Sequence, residues 1–360
     1  MKEAHIDENT NVTIHEVPMP QITNPHHIII KVVVSGCNPK DWKMPAGLLV
    51  SIGDCPNSGD DIAGIVHAVG SAVYNFRPGD RVAALHQLGA PHGSYAEYSL
   101  VWDHTTFHIG DRNFEEAATV PMANMMASIG LFTMLRLPLP WQRQPSETGT
   151  GKREQPVLIY GAAGSVGAAA VRLCVLADIH PLICVAGSGI AFVEGLIDES
   201  KGDVVVDYRQ GDEKLVEELK KALRGRELSV VFDCVSEKGS SANACKVLEP
   251  GGRISIVLPF NIHEVPDGFE KNSTMAGGLW EGFKNDGAHG RMGFDSGDDF
   301  GLVHANLVGK WFREGRIQPH PPTVIEGGLQ GIEKALKTLR EGKAHAQKLV
   351  VRIDETPGLR

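Results

Sequence analysis

Along its first hundred residues the chain gathers apolar side chains into short runs. Residues 27–34 read HIIIKVVV and 61–69 read DIAGIVHAV, with similar runs over 81–85 and 94–101. Runs this short, rich in β-branched residues and punctuated by Gly, Pro and Asp, predict mostly antiparallel strands in a barrel-like set. From Glu115 the texture becomes helical and rich in Ala and Met, and then LPLPWQRQPSETGTGKREQP follows. Proline, glycine and mixed charge forbid regular structure there and predict an exposed loop of about twenty residues.

Beyond the loop, strand and helix patterns alternate. Strands are expected at 157–160, 181–185, 204–207, 229–234 and 253–258, with helices from about residue 165, near 190–200 and near 212–224. This alternation predicts an α/β unit with a doubly wound parallel sheet, helices covering both faces. A helix near 301–314 and a strand at 348–353 have no place in that sheet and are expected to return to the first domain. The expected division is therefore 1–125 with 286–360, and 126–285. No internal repeat is visible.

The first strand of the predicted parallel sheet runs into PVLIYGAAGSVGAAA at 156–170. Gly161, Gly164 and Gly167, with Ala162, Ser165 and Val166 between them, form a strand-to-helix turn in which backbone can approach a pyrophosphate closely. The helix start would attract its charge. Val166, Ala170, Leu173 and Ala177 predict one apolar stripe toward the sheet. Folds that bind NAD usually end their second strand on Asp or Glu, which takes the ribose hydroxyls. Here PLICV runs into Ala186-Gly187-Ser188-Gly189. Without a carboxylate, Ser188 is left to donate to a 2′-phosphate, which points to NADPH; Lys201, Tyr208 and Arg209 are candidate helpers.

The 360 residues suit two domains, and 42% apolar against 22% charged residues leave ample material for cores. The formal net charge is −9 with scattered Lys and Arg, which excludes the basic stripe of a nucleic-acid partner. The opening MKEAHIDENT lacks the apolar core of a secretory signal and no later run is long enough for a bilayer, so a cytoplasmic chain with no membrane partner is expected. Accordingly the sequons at Asn11 and Asn272 are read as accidental. Six widely spaced cysteines and fifteen histidines show no metal-binding spacing, so no metal is expected.

Several motifs then carry a resemblance. Asn38-Pro39-Lys40-Asp41-Trp42-Lys43, Gly59-Asp60-Asp61-Ile62-Ala63-Gly64, Arg77-Pro78-Gly79-Asp80-Arg81-Val82, Gly93-Ser94-Tyr95-Ala96-Glu97-Tyr98 and GAAGSVG occur in an order that resembles the medium-chain dehydrogenase/reductase superfamily. The resemblance implies a GroES-like catalytic domain split around a Rossmann domain. Zinc-dependent members place Cys and His on the catalytic metal where this chain has Asn38 and Asp60, so the chain resembles the zinc-free quinone oxidoreductase and enoyl reductase branch. Cys37, one residue out of register, is read as a packed thiol. LPLP, LeuProPhe at 258–260 and the ending QKLVVRI further resemble fungal enoyl reductases that serve polyketide synthases in trans.

In those relatives NADPH reduces an α,β-unsaturated thioester held on an acyl carrier protein, and the resemblance implies the same enoyl substrate, cofactor and partner here. It carries over Lys43 as the catalytic residue lining the site. The residues expected at the cofactor are Gly161, Ala162, Gly164, Ser165, Val166, Gly167, Ser188, Tyr208, Cys234 and Leu258. Asn38, Asn124 and Met126 are assigned to the substrate pocket. Met126 departs from the usual threonine and cannot donate a hydrogen bond. Three alternatives stand beside this reading: a reductase of free quinones or enones, a nucleotide-binding scaffold, and a cofactor-assisted cyclase.

Overall fold

The computed structural model describes residues 1–47, 55–142, 155–281 and 296–359. The chain divides into two compact units, Met1–Met122 with Ser296–Arg360 and Ala123–Asp295. Much of the predicted long loop, 143–154, lies outside the described residues.

The first unit opens with a hairpin, β1 (Lys2–Ile6) and β2 (Val12–Glu16), in which Ala4 faces Ile14. Its turn is held by Asp7, whose carboxylate accepts the Asn9 and Asn11 N–H groups at 2.9 and 2.7 Å. There follow β3 (His27–Gly36), α1 (Pro39–Lys43), β4 (Asp61–Val69), β5 (Arg81–Leu85), β6 (Tyr98–Trp102), β7 (Thr106–His108) and α2 (Phe114–Ala117). The hairpin was not expected from sequence, because VTIHE is short and largely exposed.

The chain then passes through α3 (Pro121–Ser128) into a π-helical turn, Ile129–Met134. The whole run Phe114–Met134 is long and apolar enough to cross a membrane, and most of it is buried inside the fold. The second unit continues as β8 (Val157–Tyr160), α4 (Ser165–Leu176), β9 (Leu182–Ala186), α5 (Ile190–Glu194), β10 (Val204–Asp207), α6 (Asp212–Leu223), β11 (Val230–Asp233), α7 (Ser240–Cys245), β12 (Arg253–Ile256) and β13 (Glu270–Ser273). Its strands form one parallel sheet in the order β10-β9-β8-β11-β12-β13.

Both faces of that sheet are buried. Leu158, Ile183, Val185 and Val231 face a core that includes Leu215, Leu219 and Leu223 of α6. The alternate residues Val157, Ile159, Leu182, Cys184, Val230 and Phe232 are buried equally deeply. Continuous burial explains why these strands read as unbroken apolar runs. Leucines four apart give α6 its inner stripe, each worth roughly 1.5–3 kcal/mol of burial. The predicted stripe on α4 needs correction: Val166 and Ala177 are only half-buried, while Gly167 to Val171, Leu173 and Cys174 are buried. Small residues around the helix let it pack closely on nearly every side.

The chain returns to the first unit with α8 (Gly297–Arg313), β14 (Pro322–Ile325), α9 (Gly331–Arg340) and β15 (Lys348–Arg352). The larger sheet runs β14-β15-β3-β4-β5-β7, and β6 also pairs with β3. Along β3, residues 27–31 pair with β6 and 34–36 with β15, so this strand joins the N-terminal strands to the returning ones. Ile28, Ile30 and Val32 enter a core shared with Leu349, Val351 and with Ile332, Ala335 and Leu336 of α9.

Within α8, His304 is buried and stacked on Phe300 at 4.0 Å between ring centroids. Burial pulls its pKa down from the usual value near 6.5 to about 4. Between those values the unfolded chain binds a proton that the folded chain refuses, so stability falls as pH drops through that window. The loss approaches about 3 kcal/mol at the acid end. Denaturant titrations at pH 7 and pH 4.5 are expected to show a smaller loss for His304→Leu than for the wild type.

Candidate functional site

In the second unit the parallel order reverses beside β8: β9 and β10 lie to one side, β11 to β13 to the other. Ligands of open α/β sheets bind at such a switch point, beyond the carboxyl ends of the strands. The Gly161–Gly167 turn leaves β8 here. Gly161 has φ +78°, and its N–H and that of Ala162 both bond the Val185 carbonyl, at 3.0 and 2.9 Å. Gly164 caps α4, and the first N–H groups of that helix, from Ser165 and Val166 onward, have no carbonyl a turn earlier to bond. At Gly167 a Cβ would stand 2.2 Å from the Gly161 carbonyl oxygen. The helix therefore starts directly on the turn, which leaves a cradle of donor N–H groups at its head, the kind of arrangement that attracts an anion.

Across the switch point, β11 ends on Asp233, a residue that sequence reasoning did not single out. Its carboxylate accepts the Val235 and Ser236 N–H groups, both at 2.9 Å, and the Ser240 and Ser241 hydroxyls at 2.6 and 2.7 Å. Burial pushes its pKa above the usual carboxylate range, although all four donors pull it down. These bonds shape the turn that carries Cys234, whose N–H bonds the Tyr160 carbonyl at 3.0 Å. Ser236 then holds the end of β12 through the Val257 N–H at 2.9 Å, which sets the chain just before Leu258.

At the end of β9, Ser188 is exposed and the ring of Tyr208 lies over Gly187, where a Cβ would come within 2.7 Å of it. Tyr208 itself is 48% exposed. The two cationic candidates are engaged elsewhere: Arg209 is paired with Asp207 at 2.6 Å and Lys201 with Asp178 at 3.0 Å. Asn124 and Met126 both lie buried in α3.

In the first unit, the Asn-Pro-x-Asp-x-Lys segment forms α1. Asn38 precedes it, Pro39 opens it, and the Asp41 carboxylate accepts the Asn38 N–H at 2.7 Å. Tyr95, wholly buried, donates its hydroxyl to the same carboxylate at 2.6 Å. The Lys40 ammonium lies 2.8 Å from Asp41 and also contacts Asp60 and the Ser58 carbonyl. His86 sits on the other Asp60 oxygen at 2.9 Å. Burial pulls the Lys40 pKa down, but Asp41 and Asp60 outweigh it and hold it above its usual range. Burial likewise raises Asp60, and Lys40 with His86 reverses that, leaving it lowered.

A second set of contacts adjoins the first. The Asn38 side-chain amide donates to Asp61 at 2.9 Å and its oxygen accepts from Lys348, which is also 2.7 Å from Asp61. The amide of Asn38 is thus committed to the fold. Lys43, at the end of α1, is 8% exposed with its ammonium 5.6 Å from the Trp42 ring centroid. Cys37 is 1% exposed and burial pushes its thiol up to about 12, the character of a packed residue. Of this network, sequence reasoning singled out Lys43, Asn38 and Asp60. Lys40 and Tyr95 stand inside two of the quoted motifs, but nothing local gives them a role; His86 and Lys348 come from distant segments and carry no local signal.

Residues 24–111 match the alcohol dehydrogenase GroES-like domain family, and residues 201–351 match the zinc-binding dehydrogenase family. A trans-enoyl reductase of Gibberella fujikuroi is 36% identical over 336 residues, 92% of each chain. A second trans-enoyl reductase, from Aspergillus sclerotiorum, is 30% identical over 94% of this chain and 96% of its own. Among solved structures, a putative zinc-dependent alcohol dehydrogenase from Rhizobium etli superposes with a TM-score of 0.75 at 21% identity, covering 98% of both chains.

The second family description raises zinc, and the donor set does not fit it. Where zinc-dependent relatives carry Cys and His this chain has Asn38 and Asp60, and the Lys40 ammonium lies against Asp60 and Asp41. No group of three His, Cys, Asp or Glu side chains able to hold a metal occurs among the described residues. The cradle of the second unit, by contrast, fits the nicotinamide cofactor of such dehydrogenases. Matching domains at both ends and relatives that span nearly its full length place this chain in the medium-chain dehydrogenase/reductase superfamily, in one family with the fungal trans-enoyl reductases.

Proposed function

We propose that this protein is an NADPH-dependent enoyl reductase acting in trans on a polyketide intermediate carried as a thioester on an acyl carrier protein. The observation that carries the reading is the identity of 36% to a trans-enoyl reductase across 92% of both chains. The geometry at the end of β9 supports NADPH over NADH. It offers the Ser188 hydroxyl and the exposed Tyr208 ring where β9 ends without a carboxylate of its own, and the carboxylate of Asp207 on neighbouring β10 is paired with Arg209. Gly161, Ala162, Gly164, Ser165, Val166 and Gly167 would hold the diphosphate, with Cys234 and Leu258 alongside.

A nicotinamide cofactor held there would supply the hydride that adds to the β-carbon of the enoyl group. The C=C electron pair then moves to the thioester carbonyl as an enolate, which a proton at the α-carbon converts to the saturated acyl chain. Lys43 is the group proposed to stabilise the enolate oxygen or to hold that proton. Its site on α1 suits the task because the helix is clamped at several points.

One observation favours a second reading. Met126 fills a buried position of α3 with a thioether that cannot donate a hydrogen bond. A chain that binds the nucleotide without redox turnover, as a scaffold or a cyclase, would tolerate that. Monitoring NADPH absorbance separates these readings. Oxidation with a carrier-bound enoyl thioester, and little with free quinones or enones, supports the trans-acting reductase. Turnover of the free compounds alone would point to a small-molecule reductase, and binding without oxidation to the non-redox reading.

A further inference from the structure

We propose that Lys40 is a positioning residue for Lys43: its ammonium, clamped between Asp41 and Asp60, fixes the short helix that presents Lys43. The inference rests on the role given to Lys43 above. A helix of five residues has almost no stability of its own, so side chains must set its direction. Two anchors hold Asp41, namely the Tyr95 hydroxyl and the Asn38 N–H. The Ser58 hydroxyl bonds the Asp41 carbonyl at 2.6 Å. Lys40 adds a charged link to the same segment, pairing with Asp60 and contacting the Ser58 carbonyl just before β4.

Asp60 is itself held. His86, just past β5, bonds one of its oxygens at 2.9 Å through Nδ1, and the far ring nitrogen bonds the Pro91 carbonyl at 3.1 Å. A continuous series of contacts therefore runs from the β5 end through His86, Asp60 and Lys40 into α1. Lys40 and Lys43 are three residues apart, on neighbouring positions of the helix surface. The charge balance explains why a cation is needed. Asp41 and Asp60 are close enough to repel one another, and both are buried. Without Lys40 the ion pair that ties α1 to Asp60 is lost, whether or not the two carboxylates still face each other as charges. A shift of about 1 Å in a catalytic group costs on the order of a hundredfold in rate.

Two variants test this, Lys40→Met and the charge-balanced pair Lys40→Met with Asp60→Asn, the second guarding against misfolding from unpaired carboxylates. The readouts are kcat with a carrier-bound enoyl thioester, KM for NADPH and Tm, each also measured in the Lys43→Ala background. The expected result is a loss of roughly 10- to 100-fold in kcat with KM for NADPH unchanged. No further loss is expected once Lys43 is alanine. A kcat within twofold of wild type in the folded double variant, or a loss that multiplies with that of Lys43→Ala, overturns the proposal. If Lys43→Ala alone leaves kcat unchanged, the role of Lys43 falls first and this one with it. A large Lys43→Ala effect beside a silent Lys40 variant removes only the role of Lys40.

Discussion

Lys43→Ala is expected to lower kcat with an enoyl thioester by roughly two to three orders of magnitude while leaving NADPH affinity unchanged. The size follows from the chemistry. Negative charge grows on the thioester oxygen as hydride arrives, and a single well-placed donor at such an oxygen is worth that much in rate. The split follows from where the residue sits. Lys43 belongs to α1 in the first unit, whereas the glycine turn belongs to the second. Binding of NADPH can be read by calorimetry and turnover by absorbance on the same preparation. Equal turnover in the variant would remove Lys43 from the chemistry. A parallel loss of NADPH affinity would make it a cofactor ligand instead.

Gly167→Ala is expected to weaken NADPH binding by roughly 10- to 100-fold. A Cβ at this position would lie 2.2 Å from the Gly161 carbonyl oxygen and 2.8 Å from Ala162 Cα, both backbone atoms that no side-chain rotation can move aside. Overpacking of this kind costs about 1–3 kcal/mol. The strain is relieved by lifting the start of α4 off the turn, which moves the N–H groups of Ser165 and Val166 away from the diphosphate. Calorimetric titration of NADPH into the variant measures the effect. Affinity equal to wild type would show that the cofactor does not rest on this turn.

Both predictions draw on motifs that stand out in the linear chain, and the reason is local geometry. The glycine turn joins residues within seven positions of one another, and the parallel strands β8 to β12 are apolar on both faces, so each announces itself without a partner. The α4 stripe was misjudged because its Ala and Gly residues bury more than one side. Strand β13 escaped notice because an edge strand reading EKNS has almost no apolar content. Helix α9 carries a signal of its own, Ile332, Ala335 and Leu336 at helical spacing.

The polar network around α1 is a different case. Asp61 and Lys348 are 287 positions apart, and Asp41 and Tyr95 are 54 apart. Each looks like an ordinary surface residue until the sheet brings it to its partner, since a buried charge declares itself only through what neutralises it.

By itself, then, the order of residues determined most of the strands and helices, the glycine turn and the family. Those features depend on periodicity and neighbours a few positions away. Which carboxylate meets which ammonium, that Lys40 lies between Asp41 and Asp60, and that Asp233 shapes the turn opposite the glycines were decided only by tertiary folding. Pairing across the sheets joins segments far apart along the chain, and no local pattern encodes it.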